Sequence, residues 1–219
     1  MRAFQFLQRC RPTNDLRTSD VTAFLRLMTE AFGVQSWTHR GEKVDLAEAA
    51  IERRLQSLVD PQMPGAGATW VLSSRVGESP IVIMLATGTD EWGRDFFDVD
   101  FSQIQFLPHL SYFRRSIELC RPFEACIVDS NNEIDLDSHE RQRLFPNFER
   151  PSIIRWFHYL GNSLVEALGG FSHCLATPAF KTERFCGGVL LQLTEGPFEA
   201  DDPEHIQRQR LAMRHLALD

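Results

Sequence analysis

Lysine is scarce in this chain of 219 residues, with Lys43 and Lys181 as its only examples. Reactions that depend on a lysine amine therefore have few candidate residues. No apolar run approaches the roughly 18 residues of a membrane-spanning helix, and the first residues lack the apolar segment of a secretory signal. We therefore expect a soluble cytoplasmic chain with no attachment to a membrane.

Cysteine is also sparse, and its spacing does not suggest a disulfide framework. The five cysteines are an odd number, are widely spaced and include no pair separated by two residues. Disulfide-stabilised domains are normally short and have an even number of closely spaced cysteines. The pattern predicts a reducing compartment and buried structural thiols at Cys10, Cys120, Cys126, Cys174 and Cys186.

Familiar catalytic motifs are missing as well. The sequence contains no GxSxG elbow, no glycine-rich phosphate loop and no HExxH helix. His173 and Cys174 are adjacent soft ligands, but a zinc site would need further ligands supplied by the fold, and an extended segment with a buried thiol is the simpler interpretation. Cys186 has no general base at a recognisable spacing. We expect no catalytic residues, no cofactor and no metal.

The residues that are abundant predict a folded, acidic protein. The apolar fraction is 43%, with 17 phenylalanines and 4 tryptophans, which is enough for a substantial core. The formal net charge is −7. Direct binding to nucleic acid or to anionic membranes requires a basic face, so the charge disfavours both and favours a basic partner.

Hydrophobic periodicity predicts a mixture of helices and strands. Apolar residues at helical spacing indicate a helix that is capped at Thr18 or Ser19 and ends at Gly33. Further helices are indicated at 45–59, from 109, at 162–168 and from 203, where Asp202 and Pro203 mark the start. Runs rich in β-branched or alternating residues indicate strands at 3–8, 69–76, 81–87, 97–106, 123–128, 153–159, 171–177 and 189–194. The order predicts one α+β domain over 1–219 with a mainly antiparallel sheet, and leaves open two lobes, 1–107 and 108–219.

One acidic segment resembles a calcium-binding loop. Oxygen-bearing side chains occupy template positions 1, 3, 5, 9 and 12 through Asp129, Asn131, Glu133, Asp137 and Glu140. The sixth position, where the sharp turn requires glycine, is Ile134, and the preceding residues have the character of a strand. A solvated acidic loop is therefore favoured over a calcium site.

Negative charge is concentrated in the middle of the chain. Between Ala86 and Glu140, twelve acidic residues accompany four arginines, and aromatic residues are interleaved with them. Aromatic anchors within a charged surround are typical of specific protein interfaces, and an acidic field accelerates association with a basic partner. The predicted partner-binding residues are Asp90, Glu91, Trp92, Asp95, Asp98, Asp100, Asp129, Glu133, Asp135 and Asp137.

The carboxyl-terminal segment resembles a family of bacterial immunity proteins. The resemblance lies in the pair Gly187-Gly188, the strand through Thr194, and the run from Glu195 to Ile206 that leads into an arginine- and leucine-bearing helix. A looser similarity covers the first 60 residues or so, through Phe4–Leu7, Phe24-Leu25 and Trp37. Members of the family are encoded beside polymorphic or type VI secretion toxins that carry a restriction-endonuclease-like domain. The resemblance implies a cytoplasmic, non-catalytic antidote and assigns no binding residues.

Charge and resemblance together predict an immunity protein that binds and neutralises a secreted nuclease toxin. Two alternatives remain open. One is a metal-dependent hydrolase that uses the carboxylates of Asp129–Glu140, and the other is a non-catalytic adaptor of a secretion assembly. The oligomeric state and the manner of toxin inhibition are not predicted by the sequence.

Overall fold

The computed structural model describes residues 3–10, 18–58, 68–76, 79–87, 95–102, 109–129, 151, 153–199 and 201–218. These residues form two compact units, Ala3–Pro122 and Phe123–Asp219. Each unit combines helices with antiparallel strands, so the chain has the α+β fold that its sequence predicts. Within the described ranges, no helix has the length and apolar character needed to cross a membrane.

The first unit is built around one antiparallel sheet. Its helices are α1 (Thr18–Phe32), α2 (Glu48–Leu58) and α3 (His109–Cys120), and its strands are β1 (Ala3–Cys10), β2 (Thr38–His39), β3 (Glu42–Lys43), β4 (Ala68–Val76), β5 (Ser79–Thr87) and β6 (Asp95–Ser102). The strands are arranged in the order β3-β2-β4-β5-β6-β1. The predicted division near Pro108 falls at the start of α3, whereas α3 packs against α1 and belongs to the first unit.

Helix α1 supplies much of the core of the first unit. Phe24, Leu25 and Met28 are at most 1% exposed, as expected from their helical spacing. The helix ends before Gly33, whose φ of 63° lies in the left-handed region that glycine adopts without strain. The buried Trp37 donates from Nε1 to Thr29 Oγ1 over 2.7 Å, and Thr29 Oγ1 donates to the carbonyl of Leu25 over 2.7 Å. This relay ties the loop after α1 back to the helix.

The predicted hairpin in the first unit is confirmed. Strands β4 and β5 pair in antiparallel register from Ala68↔Thr87 to Val76↔Ser79. Strand β6 pairs with β5 on its other side, so β5 is central and its Ile81 and Ile83 are fully buried. The strand predicted at 97–106 is observed at Asp95–Ser102.

The second unit has a four-stranded sheet with helices packed on it. Its strands are β7 (Glu124–Asp129), β8 (Phe157–Leu160), β9 (Lys181–Phe185) and β10 (Gly188–Gln192), and its helices are α4 (Asn162–Ala167), α5 (Phe171–Leu175) and α6 (Pro203–His215). The strand order is β7-β8-β10-β9, and every neighbouring pair is antiparallel. Leu160, Val189 and Leu191 join residues of α4 and α6 in one apolar core.

The prediction of an extended segment at 171–177 is wrong, because residues 171–175 form α5. Phe171, Cys174 and Leu175 pack together towards the core at the i, i+3, i+4 spacing of a helix. Gly170 precedes the helix with φ of 89°, and its carbonyl accepts the first hydrogen bond, from the backbone N–H of Cys174 over 3.0 Å. The short apolar run therefore belongs to one and a half helical turns, a length at which strand and helix patterns are hard to separate.

The carboxyl-terminal helix begins where the sequence predicts. Asp202 is the N-cap of α6 and accepts from the backbone N–H of Glu204 over 2.8 Å, and Pro203 follows in the first turn. The two-residue connection that leads into β10 has a separate role. Cys186 and Gly187 both have positive φ, 44° and 79°, in the two-residue connection between β9 and β10. Positive φ at both central residues is the conformation that matches the twist of a tight hairpin.

Candidate functional site

One face of the β4–β5 hairpin in the first unit carries exposed and half-buried side chains. The side chains of Trp70 and Leu72 on β4 and of Ile83 on β5 are at most 1% exposed and face the core. The alternate residues of β4, Val71, Ser73 and Arg75, are exposed, and their counterparts Val82 and Met84 on β5 are half-buried. We call Val71, Ser73, Arg75, Val82 and Met84 the open face. Val71 is 41% exposed and is one of three exposed large hydrophobic residues among those described.

Strand register places two of the predicted partner-binding residues next to this surface. Asp98 pairs with Met84 on one side and with Leu7 on the other, and Asp100 pairs with Val82 and with Gln5. Two rows therefore cross the sheet, one through Val71, Met84 and Asp98 and the other through Ser73, Val82 and Asp100. Directly opposed residues in neighbouring strands lie about 4.5–5.5 Å apart, so each acidic position adjoins a half-buried apolar one.

The remaining predicted partner-binding residues are not brought together by the described structure. Asp95 is the first residue of β6 and pairs with Cys10, and Asp129 is the last residue of β7 in the second unit. The others lie outside the described residues: Asp90, Glu91, Trp92, Glu133, Asp135 and Asp137. The calcium-like segment also lies outside them, apart from Asp129.

The β4 residues of the open face were not singled out from the sequence. Their signal is the alternation of Trp70 and Leu72, which are buried, with Val71 and Ser73, which are exposed. The strand is predicted from its β-branched residues, and a buried and an exposed side cannot be assigned until the pairing partners of β4 are known.

A polar groove of about 700 Å³ adjoins the open face. One wall is the chain around Gln35 and Ser36, and the other is the end of β4 from Ser73 to Val76. Ser74 Oγ donates to the carbonyl of Ser36 over 2.8 Å. Thr38 Oγ1 lies 3.1 Å from the carbonyl oxygen of Ser73 and 3.0 Å from its hydroxyl. The groove thus lies between a loop and a strand that are joined by hydroxyl groups.

A smaller cavity of about 170 Å³ lies at the edge of the sheet beside β2 and α2. Its lining includes His39 and Trp70, whose rings meet edge to face with centroids 6.5 Å apart. His39 Nδ1 is 2.7 Å from the carbonyl of Val71, so Nδ1 carries the proton and donates. His39 Nε2 and Trp70 Nε1 are buried and have no hydrogen-bond partner in the described structure.

A buried histidine–carboxylate contact joins β7 to β8 in the second unit. His158 is fully buried, and its Nε2 lies 3.2 Å from Oε1 of the largely buried Glu124, although the geometry is not aligned for a hydrogen bond. His158 Nδ1 accepts from the backbone N–H of Arg155 over 3.3 Å. Cys126 pairs with His158 in the strand register. Since both ring nitrogens face groups of the fold, this histidine is placed to connect strands.

The cysteines are only partly as predicted. Cys126 and Cys174 are buried, but Cys120 is half-buried and Cys186 is exposed in the hairpin connection, so the expectation of buried thiols is wrong for Cys186. Cys10 lies on β1, and its side chain is outside the described structure. Burial raises the pKa of the Cys174 thiol.

His173 pairs with His215 at the end of α6. The two rings are stacked with centroids 4.2 Å apart. His173 Nε2 lies 2.8 Å from the carbonyl of His215, and His215 Nε2 lies 2.9 Å from the carbonyl of His173. This reciprocal pair fastens α6 to α5. Across the described ranges, no group of three or more histidine, cysteine or acidic side chains is positioned to hold a metal ion.

Comparison of the chain with protein-family models and with curated proteins found no match. The similarity to immunity proteins, over residues 187–206 and more loosely over the first 60 or so, therefore stays a prediction from the sequence.

Proposed function

We propose that this protein is an immunity protein that binds a nuclease toxin of the polymorphic or type VI secretion type and neutralises it. The observation that carries the proposal is the open face of the first unit, where half-buried Val82 and Met84 adjoin the register positions of Asp100 and Asp98. The resemblance of residues 187–206 supports the class of partner. The site of action is the cytoplasm, where such a toxin meets DNA.

The chemistry of a nuclease makes this surface suitable. A protein that cleaves DNA must present cationic side chains to the phosphate backbone. Protein interfaces combine an apolar centre with a polar surround, and complementary charge increases the rate of association. The open face offers Val71 and Met84 as apolar contacts, with carboxylate positions in the adjacent strand. A basic toxin surface covered in this way loses access to its substrate.

Co-expression tests the proposal. The product of the neighbouring gene in the source genome is expressed alone, with this protein, and with its Asp98→Lys/Asp100→Lys variant. We expect killing by the neighbour alone, rescue by the wild type through a stable complex, and weaker rescue by the variant. The matched control is Glu195→Lys, which changes the charge of an exposed residue in the second unit. A harmless neighbour, or one that forms no complex, contradicts the proposal.

The hydrolase and adaptor alternatives remain predictions with their own tests. The hydrolase depends on residues 129–140, and calcium and magnesium titration of the wild type and of Asp129→Ala distinguishes it. Metal binding that Asp129→Ala abolishes, together with hydrolysis, favours this alternative over the immunity function. An adaptor is distinguished by a stable partner that is not toxic when it is expressed alone.

A further inference from the structure

Strand β9 is the outer strand of the sheet in the second unit. Among the described strands it pairs with β10 alone, from Lys181↔Gln192 to Phe185↔Gly188. All of its residues are exposed or half-buried. The outer side of an edge strand presents backbone N–H and C=O groups that can pair with a further strand. The residues whose backbone groups point outward therefore determine what this edge can bind.

The hairpin geometry assigns the outward backbone groups to Thr182 and Arg184. Phe185 and Gly188 flank the two-residue connection, which is the position where a pair of ladder hydrogen bonds closes a tight hairpin. Backbone groups alternate between the two sides of a strand, so those of Phe185 and of every second residue before it face β10. The backbone groups of Thr182 and Arg184 then face away from β10.

A hydrogen bond on the other side of β10 leads to the same assignment. The backbone N–H of Leu193 donates to the carbonyl of Trp156 over 2.7 Å, which continues the register of β10 with β8. The odd-numbered residues of β10 therefore face β8, and the even-numbered ones face β9. Gly188 is even-numbered, so its backbone groups face its partner Phe185, as the closed hairpin requires.

Helix α5 lies over the face of β9 and leaves its outer edge open. Thr182 Oγ1 donates to the carbonyl of Leu175 over 2.7 Å, and the guanidinium of Arg184 lies 4.6 Å from the centroid of the Phe171 ring. Side chains project from the face of a sheet, whereas ladder hydrogen bonds lie in its plane. Within the described part of the chain, no residue forms a hydrogen bond with the outward backbone groups of Thr182 or Arg184.

The charges on β9 select one antiparallel register for a second copy of the same strand. The outward positions can be opposed as Thr182 with Thr182, Thr182 with Arg184, or Arg184 with Arg184. The last brings two guanidinium groups together, and the second sets Glu183 against Glu183. The first sets Lys181 of each copy against Glu183 of the other. Opposite charges directly across neighbouring strands stabilise a pairing, and like charges destabilise it.

We propose that β9 pairs in antiparallel register with β9 of a second copy of this chain, with Thr182 opposite Thr182 and Lys181 opposite Glu183 on both sides of a twofold axis. The side chain of Lys181 is 57% exposed and therefore accessible to a partner. The register also sets Phe180, which is 48% exposed, opposite Arg184 of the second copy. Such self-complementarity is what a twofold interface requires. The proposal concerns the second unit and does not rest on toxin binding by the first.

Charge reversal on the full-length chain tests the pairing, with sedimentation velocity over a concentration series as the measurement. We expect a reversible dimer of the wild type. Lys181→Glu and Glu183→Lys each set like charges opposite each other twice, so each should dimerise at least about fivefold more weakly. An equimolar mixture of the two variants should restore dimerisation, because the acidic edge of one then faces the basic edge of the other.

The matched control is Glu166→Lys, which reverses an exposed charge on α4 and should leave dimerisation unchanged. Circular dichroism verifies that each variant is folded. A wild type that stays monomeric at every concentration overturns the proposal. The proposal is also overturned if Lys181→Glu dimerises as well as the wild type, or if the mixture of the two variants stays monomeric.

Disulfide formation tests the register itself. The exposed Cys186 is first replaced by serine, and this Cys186→Ser protein alone should form no cross-linked dimer on oxidation. Opposed residues at a hydrogen-bonded position have Cα atoms about 5.5 Å apart, which suits a disulfide. Adding Thr182→Cys should therefore give a cross-linked dimer faster than adding Glu183→Cys. Faster cross-linking through Glu183→Cys contradicts the proposed register.

Discussion

The substitution Gly188→Ala tests the packing of the second unit most sharply. Gly188 is the first residue of β10 and pairs with Phe185 across the hairpin. A Cβ atom at this position would lie 2.1 Å from the carbonyl oxygen of Leu160 and 2.8 Å from both Cε2 and the hydroxyl oxygen of Tyr159. The closest of these atoms belongs to the backbone of β8, which is itself paired with β10, so it cannot move away without disturbing the sheet.

The contact distances determine the expected size of the effect. Adding a methylene to a well-packed core costs about 1–3 kcal/mol, and a clash with backbone atoms belongs at or above the upper end of that range. Gly187→Ala meets no atom within 4 Å but has φ of 79°. Its cost should be that of a left-handed alanine, about 1–2 kcal/mol. Gly196→Ala meets neither obstacle and should change stability by less than about 0.5 kcal/mol.

Urea unfolding of the three variants, followed by tryptophan fluorescence and by circular dichroism, measures this order. The expected ranking of destabilisation is Gly188→Ala, then Gly187→Ala, then Gly196→Ala. A Gly188→Ala variant as stable as Gly196→Ala would refute the close approach of β10 to β8 and the hairpin geometry derived from it. Coincident transitions by the two probes are needed before the free energies are compared.

Three further predictions concern other parts of the chain. Burial, with repulsion from Cys186 as the smaller cause, raises the pKa of Tyr159 to about 12. The protonated phenol of Tyr159 therefore stabilises the folded state below pH 10, and this contribution is lost as the pH rises from 10 to about 12. The loss of stability over this range should be smaller in Tyr159→Phe. Maleimide should label Cys186 within minutes in the native protein, whereas Cys174 should be labelled only after unfolding, because Cys174 is buried and its thiol pKa is raised. Mass spectrometry identifies which cysteine is labelled. Thr29→Val leaves the buried Trp37 N–H without an acceptor and should cost about 1–3 kcal/mol in urea unfolding, whereas a change near zero would contradict the relay.

Long, strongly periodic elements could be predicted from the sequence. Helix α1 carries apolar residues at every turn and is followed by glycine, and its boundaries are as expected. The β4–β5 hairpin is marked by two β-branched runs with a short polar connection. In both cases local preference and tertiary burial favour the same structure.

Elements that depend on neighbours could not be predicted. Strand β9 has the polar sequence Lys181–Phe185, and none of its residues is fully buried, because among the described strands it pairs with β10 alone. Nothing in its composition distinguishes it from a loop.

Helix α5 is five residues long and is fixed by contacts with α6, including the His173–His215 stack. Its periodicity covers too few residues to outweigh the strand-like composition.

The candidate site is predictable in charge but not in shape. The density of acidic residues around Asp98 and Asp100 is visible in the sequence. The apolar partners of those positions, Met84 and Val82, come from another strand, and the exposed Val71 comes from a third. Only the sheet order and register bring these residues into common rows, and neither can be read from a single strand.

The affinity of the neighbouring gene's product, which we propose to be the toxin, for wild-type and charge-reversed protein tests the central claim most directly. Calorimetric titration of this product should give tight binding by the wild type and unchanged binding by Glu195→Lys. Binding by Asp98→Lys/Asp100→Lys should be at least about tenfold weaker, because close interfacial charge pairs contribute about 1.5 kcal/mol or more. If the charge-reversed protein binds as tightly as the wild type, the open face of the first unit is not the surface that recognises the toxin.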